Sequence, residues 1–334
     1  MSVESSLYGK RVLFIAPVFF GYEKLIKEEL ERKGAIVDYF NDRPGNDFWT
    51  KALIRVNRFL LAHKTNSYYK GIIESTSKRS YDHVLIVRGE AISPRILQLL
   101  RQAQPKARMT LYLWDSMHYN PNALKLLGAF DQVFSFDRSD VERYPKMQFL
   151  PLFYAGEFDR AARQKGKPIY DACFIGTIHT DRYKVLEKII ENLQERGRKV
   201  YVFCYYPSKF LYRMRALVDP GFRRFGKKYV NFTGMALAEV VDRIAESRAV
   251  IDVNRPGQVG LTMRTIEAVG AQRKLITTNS DVVNYDLYDP HSVLLVDRRN
   301  PMVDDDLLCS DEIPFTQTLR AKYSVSAWVD RIFQ

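Results

Sequence analysis

The chain is poor in cysteine: its 334 residues include Cys173, Cys204 and Cys309 and no others. Their spacing fits neither a disulfide framework nor a zinc motif, and use this sparse suits a reducing compartment. No apolar run reaches the roughly 18 residues needed to cross a bilayer. Residues 12–20, after Lys10 and Arg11, look faintly like a signal peptide. Pro17 interrupts them, no small-residue cleavage site follows, and a charged segment comes next, so a first strand and helix explain them better. A protein that is soluble, or that sits on a membrane surface, is expected. The histidines (His63, His83, His118, His179 and His291) lack metal-ligand spacing. Walker, G-x-G-x-x-G and G-x-S-x-G motifs are missing. Asp304, Asp305 and Asp306 read as a solvated acidic turn, because consecutive side chains point in different directions. No metal site is expected.

What is present is basic and globular. Lys and Arg outnumber Asp and Glu by 51 to 39, a net charge of +12. A chain that is 46% hydrophobic and 27% charged is neither disordered nor fibrous. Its length favours two domains.

Short apolar runs alternate with helical patterns. Residues 11–16 read as a strand, 22–33 as a helix closed by Gly34, and 35–39 as a second strand, a β-α-β unit. Residues 47–78 read as mostly helical, with Leu53, Val56, Phe59 and Leu60 as an apolar stripe. Strands follow at 83–87, 109–114 and 132–136, with a helix opened by Ser93-Pro94 between the first two. An extended piece at 149–153 and a polar, basic stretch at 161–168 mark a boundary, giving domains of 1–160 and 161–334. The rhythm then restarts. Strands are expected at 171–175, 199–204, 230–232, 249–253, 274–278 and 292–296, and helices at 182–196, 237–247 and 263–270. Two such halves imply an α/β protein of two doubly wound, Rossmann-like domains facing a central cleft, with a C-terminal helix free to pack back on the first.

Ligands of open parallel sheets bind beyond the carboxyl ends of the strands, so residues there carry functional weight. Gly176 and Thr177 end one strand, and Arg182 opens the next helix; together they suit a phosphate, or an ordinary turn. The segment Asn254, Arg255, Pro256, Gly257, Gln258, Val259, Gly260, Leu261, Thr262 leads into a helix carrying Arg264 and Glu267. Its positive end is an anion site. Glu267, three residues after Arg264, can accept both hydroxyls of a ribose; the bland alternative is an intrahelical surface pair. Asp115 and His118 follow a first-domain strand, and Glu90 follows the neighbouring one; each is a candidate base for an acceptor hydroxyl. The cations Lys209, Arg213, Arg215, Arg223, Arg224, Lys227 and Lys228 alternate with aromatic residues. That pattern suits an anionic membrane surface ahead of nucleic acid, or a solvated basic loop.

The Ile175-Gly176-Thr177 strand end and the segment from Gly260 to Gly270 resemble GT-B glycosyltransferases. The nearest likeness is to the CgeB-like branch found among bacterial surface-polysaccharide and spore-coat proteins. Its Arg-x-x-Glu-x-x-Gly helix corresponds to Arg264, Glu267 and Gly270. The resemblance implies a nucleotide-sugar donor on the second domain and a glycan acceptor, lipopolysaccharide, capsule or a related polymer, on the first. It implies Glu267 on the ribose and Arg264 with the Gly176–Thr177 turn on the diphosphate, with no resident metal or tightly bound cofactor. Many retaining members carry a further glutamate where this chain has Val259, a departure that favours inversion. A cytoplasmic-side enzyme is expected, held peripherally on the inner membrane face by the basic, aromatic stretch. The rivals are another GT-B-fold enzyme, such as a nucleotide-sugar epimerase, and a non-enzymatic ligand-binding protein.

Overall fold

Strands buried on both faces must be apolar along their whole length, and this is what holds the first sheet together. Val12, Leu13, Phe14, Ile15 and Ala16 of β1 (Arg11–Ala16) are all fully buried. The structure, a computed structural model, describes residues 7–45, 62–164, 166–310 and 312–334. The expected stripe of Leu53, Val56, Phe59 and Leu60 lies outside the described residues.

The chain divides into two compact units: Met1–Pro151 with Val325–Gln334, and Leu152–Ser324. In the first, β1 is followed by α1 (Tyr22–Arg32), β2 (Ile36–Asn41), α2 (Ala62–Thr76), β3 (His83–Val87), α3 (Pro94–Ala103) and β4 (Arg108–Leu113). Then come β5 (Gln132–Ser135), α4 (Arg138–Arg143) and β6 (Met147–Phe149). The strands form one parallel sheet in the order β2-β1-β3-β4-β5-β6. Helix α3 shows how local signals set bounds. Ser93 caps it by accepting from the Ile96 N–H, Pro94 occupies its first turn, and Ile96, Leu97 and Leu100 form its buried face.

The second unit runs through α5 (Phe158–Arg163), β7 (Tyr170–Thr177), α6 (Arg182–Glu195), β8 (Val200–Tyr205), α7 (Lys209–Val218), α8 (Pro220–Tyr229) and β9 (Val230–Asn231). It continues with α9 (Leu237–Ala245), β10 (Ser247–Asp252), α10 (Met263–Gly270), β11 (Lys274–Thr277), β12 (Val293–Leu295), α11 (Asp305–Cys309) and α12 (Gln317–Lys322). Its parallel sheet has the order β12-β11-β10-β7-β8-β9. The basic stretch at 209–228 is a helical hairpin rather than a loop. Ser208 and Asp219 cap its two helices, and Pro220 forces the break between them. Asp304 caps α11, which is the use the acidic triplet finds.

The last helix, α13 (Val325–Phe333), belongs to the first unit. Trp328 meets the Tyr112 ring edge-on at 4.8 Å, and Lys33 reaches Asp330 at 2.7 Å. The three cysteines are free, Cys173 and Cys204 buried and Cys309 exposed.

One glycine in α10 is fixed by packing. A Cβ on Gly270 would fall 2.4 Å from Cγ of Tyr154. Alanine normally stabilises a helix interior relative to glycine by about 1 kcal/mol, but overpacking costs about 1–3 kcal/mol. Gly270→Ala should therefore lower the unfolding midpoint in thermal melting. Gly234→Ala, with open space around it, should leave the midpoint nearly unchanged.

Candidate functional site

A parallel sheet presents a crevice where its strand order reverses, because the helices on either side of that point lie on opposite faces. The second sheet reverses between β10 and β7. Gly176, Thr177, Arg182, Asn254, Arg255, Gly260, Leu261, Thr262, Arg264 and Glu267 all lie on the carboxyl ends of these two strands or on the elements that leave them.

Helix α10 starts there because Thr262 accepts from the Thr265 N–H at 3.3 Å. The Thr265 hydroxyl in turn donates to the buried carboxylate of Asp252, at the end of β10, at 2.9 Å. The loop before it is tied internally. Asn254 Nδ2 donates to Gln258 O at 2.9 Å, Gln258 Nε2 to Gly260 O at 2.9 Å, and Asn279 Nδ2 to Val259 O at 2.9 Å. Gly260 and Leu261 are buried parts of this loop.

Arg264 Nη1 lies 2.5 Å from Glu267 Oε2. The pair is intrahelical, as the bland alternative had it, but its carboxylate is buried: Glu267 is 4% exposed, and Arg264 is partly buried. The cation and the carboxylate neutralise one another.

Arg182 differs from its expected role. Its Nη1 donates inward to Thr177 O at 2.8 Å, closing the turn instead of standing free for a phosphate. Its Nε is buried without a hydrogen-bond partner among the described residues. Burial first, then the charges of Arg255 and Arg298 against the opposing pull of Asp252, push the guanidinium down to about 10. Gly176 sits inside β7, with the Phe174 ring 3.2 Å from where a Cβ would stand. The glycine accommodates its own strand neighbour.

Two further residues join the cluster. Arg298, after β12, holds Asp181 through two bonds of 2.8 and 3.2 Å and donates to Asn254 O at 2.9 Å. Arg255 Nε donates to His179 Nε2 at 3.2 Å. His179 lies two residues beyond the end of β7. Arg298 follows a strand end, which is the signal that could have found it. Arg182, Arg255 and Arg298 face the carboxylates Asp181 and Asp252, an excess of positive charge suited to a polyanion.

The first sheet reverses between β1 and β3. Here Arg88, Glu90 and Asp115 meet, joined by Arg43 after β2. Arg88 contacts Asp115 at 2.9 Å and Glu90 at 3.3 Å, and Arg43 makes a short ion pair with Glu90. Arg88 holds a positive φ of 73°, uncommon for a side chain this large. Glu90, 12% exposed and shared by two arginines, is a structural anchor. Asp115, 29% exposed with Arg88 at one oxygen, is the more available carboxylate. His118 lies on the surface with its ring against Tyr119. The structure thus joins Glu90 to Asp115 through Arg88. Behind them Asp42 is fully buried, bonded by Tyr69 at 2.7 Å, and its carboxyl is pushed up to about 6 chiefly by burial.

The basic residues lie on α7 and α8 of the second unit. Arg215 lies over the Phe222 ring at 4.3 Å and donates to Thr180 O, and Arg224 pairs with Glu187 at 3.3 Å. Lys209, Arg213, Arg223, Lys227 and Lys228 are exposed. Among the described residues, no group of His, Cys, Asp or Glu is placed to hold a metal ion.

Two six-stranded parallel sheets of this topology define the GT-B fold, the α/β architecture of two Rossmann-like halves. No family model matches the chain, and no curated protein matches its sequence. Among solved structures, it is similar to OtsA in its apo form: TM-score 0.67 and 12% identity, over 97% of this chain and 98% of that one. It is also similar to an alpha,alpha-trehalose-phosphate synthase (UDP-forming) from Burkholderia xenovorans in complex with glucose-6-phosphate, with TM-score 0.64 and 12% identity, over 96% and 98%. A structure assigned as a UDP-N-acetylglucosamine 2-epimerase, from Listeria monocytogenes, matches with TM-score 0.51 and 13% identity, over 97% and 95%.

Burial, then the Arg182 and Arg255 charges, push the His179 imidazole down from 6.5 to about 3. The folded value lies below the unfolded one, so the unfolded chain takes up its proton first as pH falls. The stability this site contributes is present above 6.5 and is lost as pH falls towards 3. Wild type should therefore lose more melting temperature than His179→Asn between about pH 7 and about pH 4.5. Parallel profiles would show that His179 is not held neutral.

Proposed function

We propose that this chain is a glycosyltransferase that moves a sugar from a nucleotide-sugar donor to a hydroxyl of a glycan acceptor. The observation that carries it is the pairing of Arg264 with the buried Glu267 in α10, beside a cluster rich in arginine at the β7–β10 reversal. A nucleoside diphosphate offers a matching exchange. Its ribose hydroxyls take Glu267, and its diphosphate takes the released Arg264 together with the first-turn N–H groups of α10. Arg255 supplies further positive charge. As the donor bond breaks, this end stabilises the leaving diphosphate without a resident metal, as the resemblance implies. Asp115 takes the proton of the acceptor hydroxyl, held in orientation by Arg88. The similar UDP-forming synthase and the trehalose-6-phosphate structure bound with UDP-2-fluoro glucose support a nucleotide sugar as donor.

The finer parts of this reading rest on the resemblance to the CgeB-like branch for the acceptor and on the basic stretch of α7 and α8 for the membrane. The acceptor is a lipopolysaccharide, capsule or related surface glycan, and the enzyme works on the cytoplasmic side, peripheral to the membrane that carries such an acceptor. A second reading, a nucleotide-sugar epimerase, has the Listeria monocytogenes likeness in its favour. It uses the same donor pocket and needs no acceptor.

Thermal melting with UDP, GDP, CMP, dTDP and ADP tests the donor pocket. One nucleotide should stabilise the fold by about 2.7 kcal/mol at a hundredfold excess over its Kd. Glu267→Ala should abolish that shift while the chain still melts cooperatively; no shift with any nucleotide contradicts the pocket. Asp115→Asn should keep the shift and lower transfer by about 10²–10⁴-fold. A variant that transfers at the wild-type rate removes Asp115 as the base.

A further inference from the structure

Helix α7 is anchored on one side and bare on the other. Tyr212 faces α8, where a Cβ on Gly226 would fall 2.5 Å from the Tyr212 hydroxyl, so glycine is what lets the two helices close. Ala216 is buried, and Arg215 lies over the Phe222 and Tyr183 rings at 4.3 and 5.5 Å. The junction is pinned by Asp219, which caps α8 and accepts from the Tyr183 hydroxyl at 2.7 and 2.8 Å.

The opposite side is apolar and open to solvent. Phe210, Leu211, Met214, Leu217 and Val218 are 69%, 40%, 50%, 73% and 82% exposed. At a helical period of 3.6 residues they form one continuous stripe, with Arg213 and Arg215 on its two sides. A hairpin already held by Tyr212, Ala216, Arg215 and Asp219 does not need this stripe for its own stability. Exposed apolar patches this continuous are characteristic of docking surfaces.

Charge identifies the occupant. Neither α7 nor α8 contains an Asp or a Glu, while Lys209, Arg213, Arg223, Lys227 and Lys228 stand exposed on the same hairpin. An apolar face bordered by cations complements the acyl boundary and the anionic headgroups of a bilayer. Nucleic acid would use the cations and leave the aliphatic stripe bare. Among the described residues, no helix is long and apolar enough to cross a membrane.

We propose that α7 is an interfacial membrane helix, its apolar stripe sunk into the headgroup–acyl boundary of an anionic bilayer while the cations of α7 and α8 bind the headgroups. This deepens the peripheral placement given above and rests on it, but is independent of the transfer reaction. Aliphatic insertion, and not charge alone, holds the chain to the lipid.

Co-sedimentation of the full chain with phosphatidylglycerol–phosphatidylcholine vesicles tests this, against phosphatidylcholine alone. Wild type should pellet with the anionic vesicles and retain a bound fraction at high salt. Lys227→Glu/Lys228→Glu should weaken binding at low salt, by roughly thirtyfold or more. Phe210→Glu/Leu217→Glu should lose the salt-resistant fraction while keeping the wild-type melting midpoint, because both side chains are exposed. If this variant binds as wild type does, insertion is wrong and a purely electrostatic membrane contact survives. If wild type binds neither vesicle, the membrane placement falls as well. Two results would overturn the proposal in favour of another occupant: binding to DNA or RNA but not to lipid, or a stripe-dependent dimer that ignores vesicles.

Discussion

The carboxylate of Asp252 is the contact on which the second unit's site depends. It ends β10 in a buried position and accepts the hydroxyl of Thr265 at 2.9 Å. An unpaired buried carboxylate is costly, so the bond holds the first turn of α10 against the strand end. The same residue, Thr265, is the one whose N–H Thr262 caps. Strand, cap and helix start are therefore one connected set. Arg264 and Glu267 project from a turn fixed both at its strand and at its cap.

The first unit reaches a comparable result by different means. Its strand ends are tied by the chain of charges Arg43, Glu90, Arg88 and Asp115 rather than by a helix cap. The left-handed backbone at Arg88 is part of that arrangement, and strain of this kind persists only where the surroundings over-determine it. The GT-B fold alone names no substrate, since one fold hosts many chemistries. What narrows the reading is that each sheet reversal carries a charged cluster.

Much of this was legible in the sequence. Continuous apolar runs such as Val12 to Ala16 and Val84 to Val87 read directly as parallel strands, because both faces are covered. The bounds of β1, β3 and α10 match the reading from pattern alone. The three-residue strand β6 carries too little periodicity to read. Helices α7 and α8 were hidden because cations alternate with apolar residues along both, and in α7 the apolar stripe faces solvent instead of the core. The partners of Arg43 and Arg298 lie far away in sequence, Glu90 and Asp181, so that only the position of Arg298 after a strand end offered a sign. The inward bond of Arg182 to the Thr177 carbonyl likewise carries no signal in the spacing.

The most direct measurement is a crystal structure of the chain with UDP. The account predicts the ribose on Glu267, the Arg264–Glu267 pair opened, and the diphosphate within hydrogen-bond distance of Arg264 and the first turn of α10. UDP bound elsewhere, or bound with that pair still closed, would contradict it.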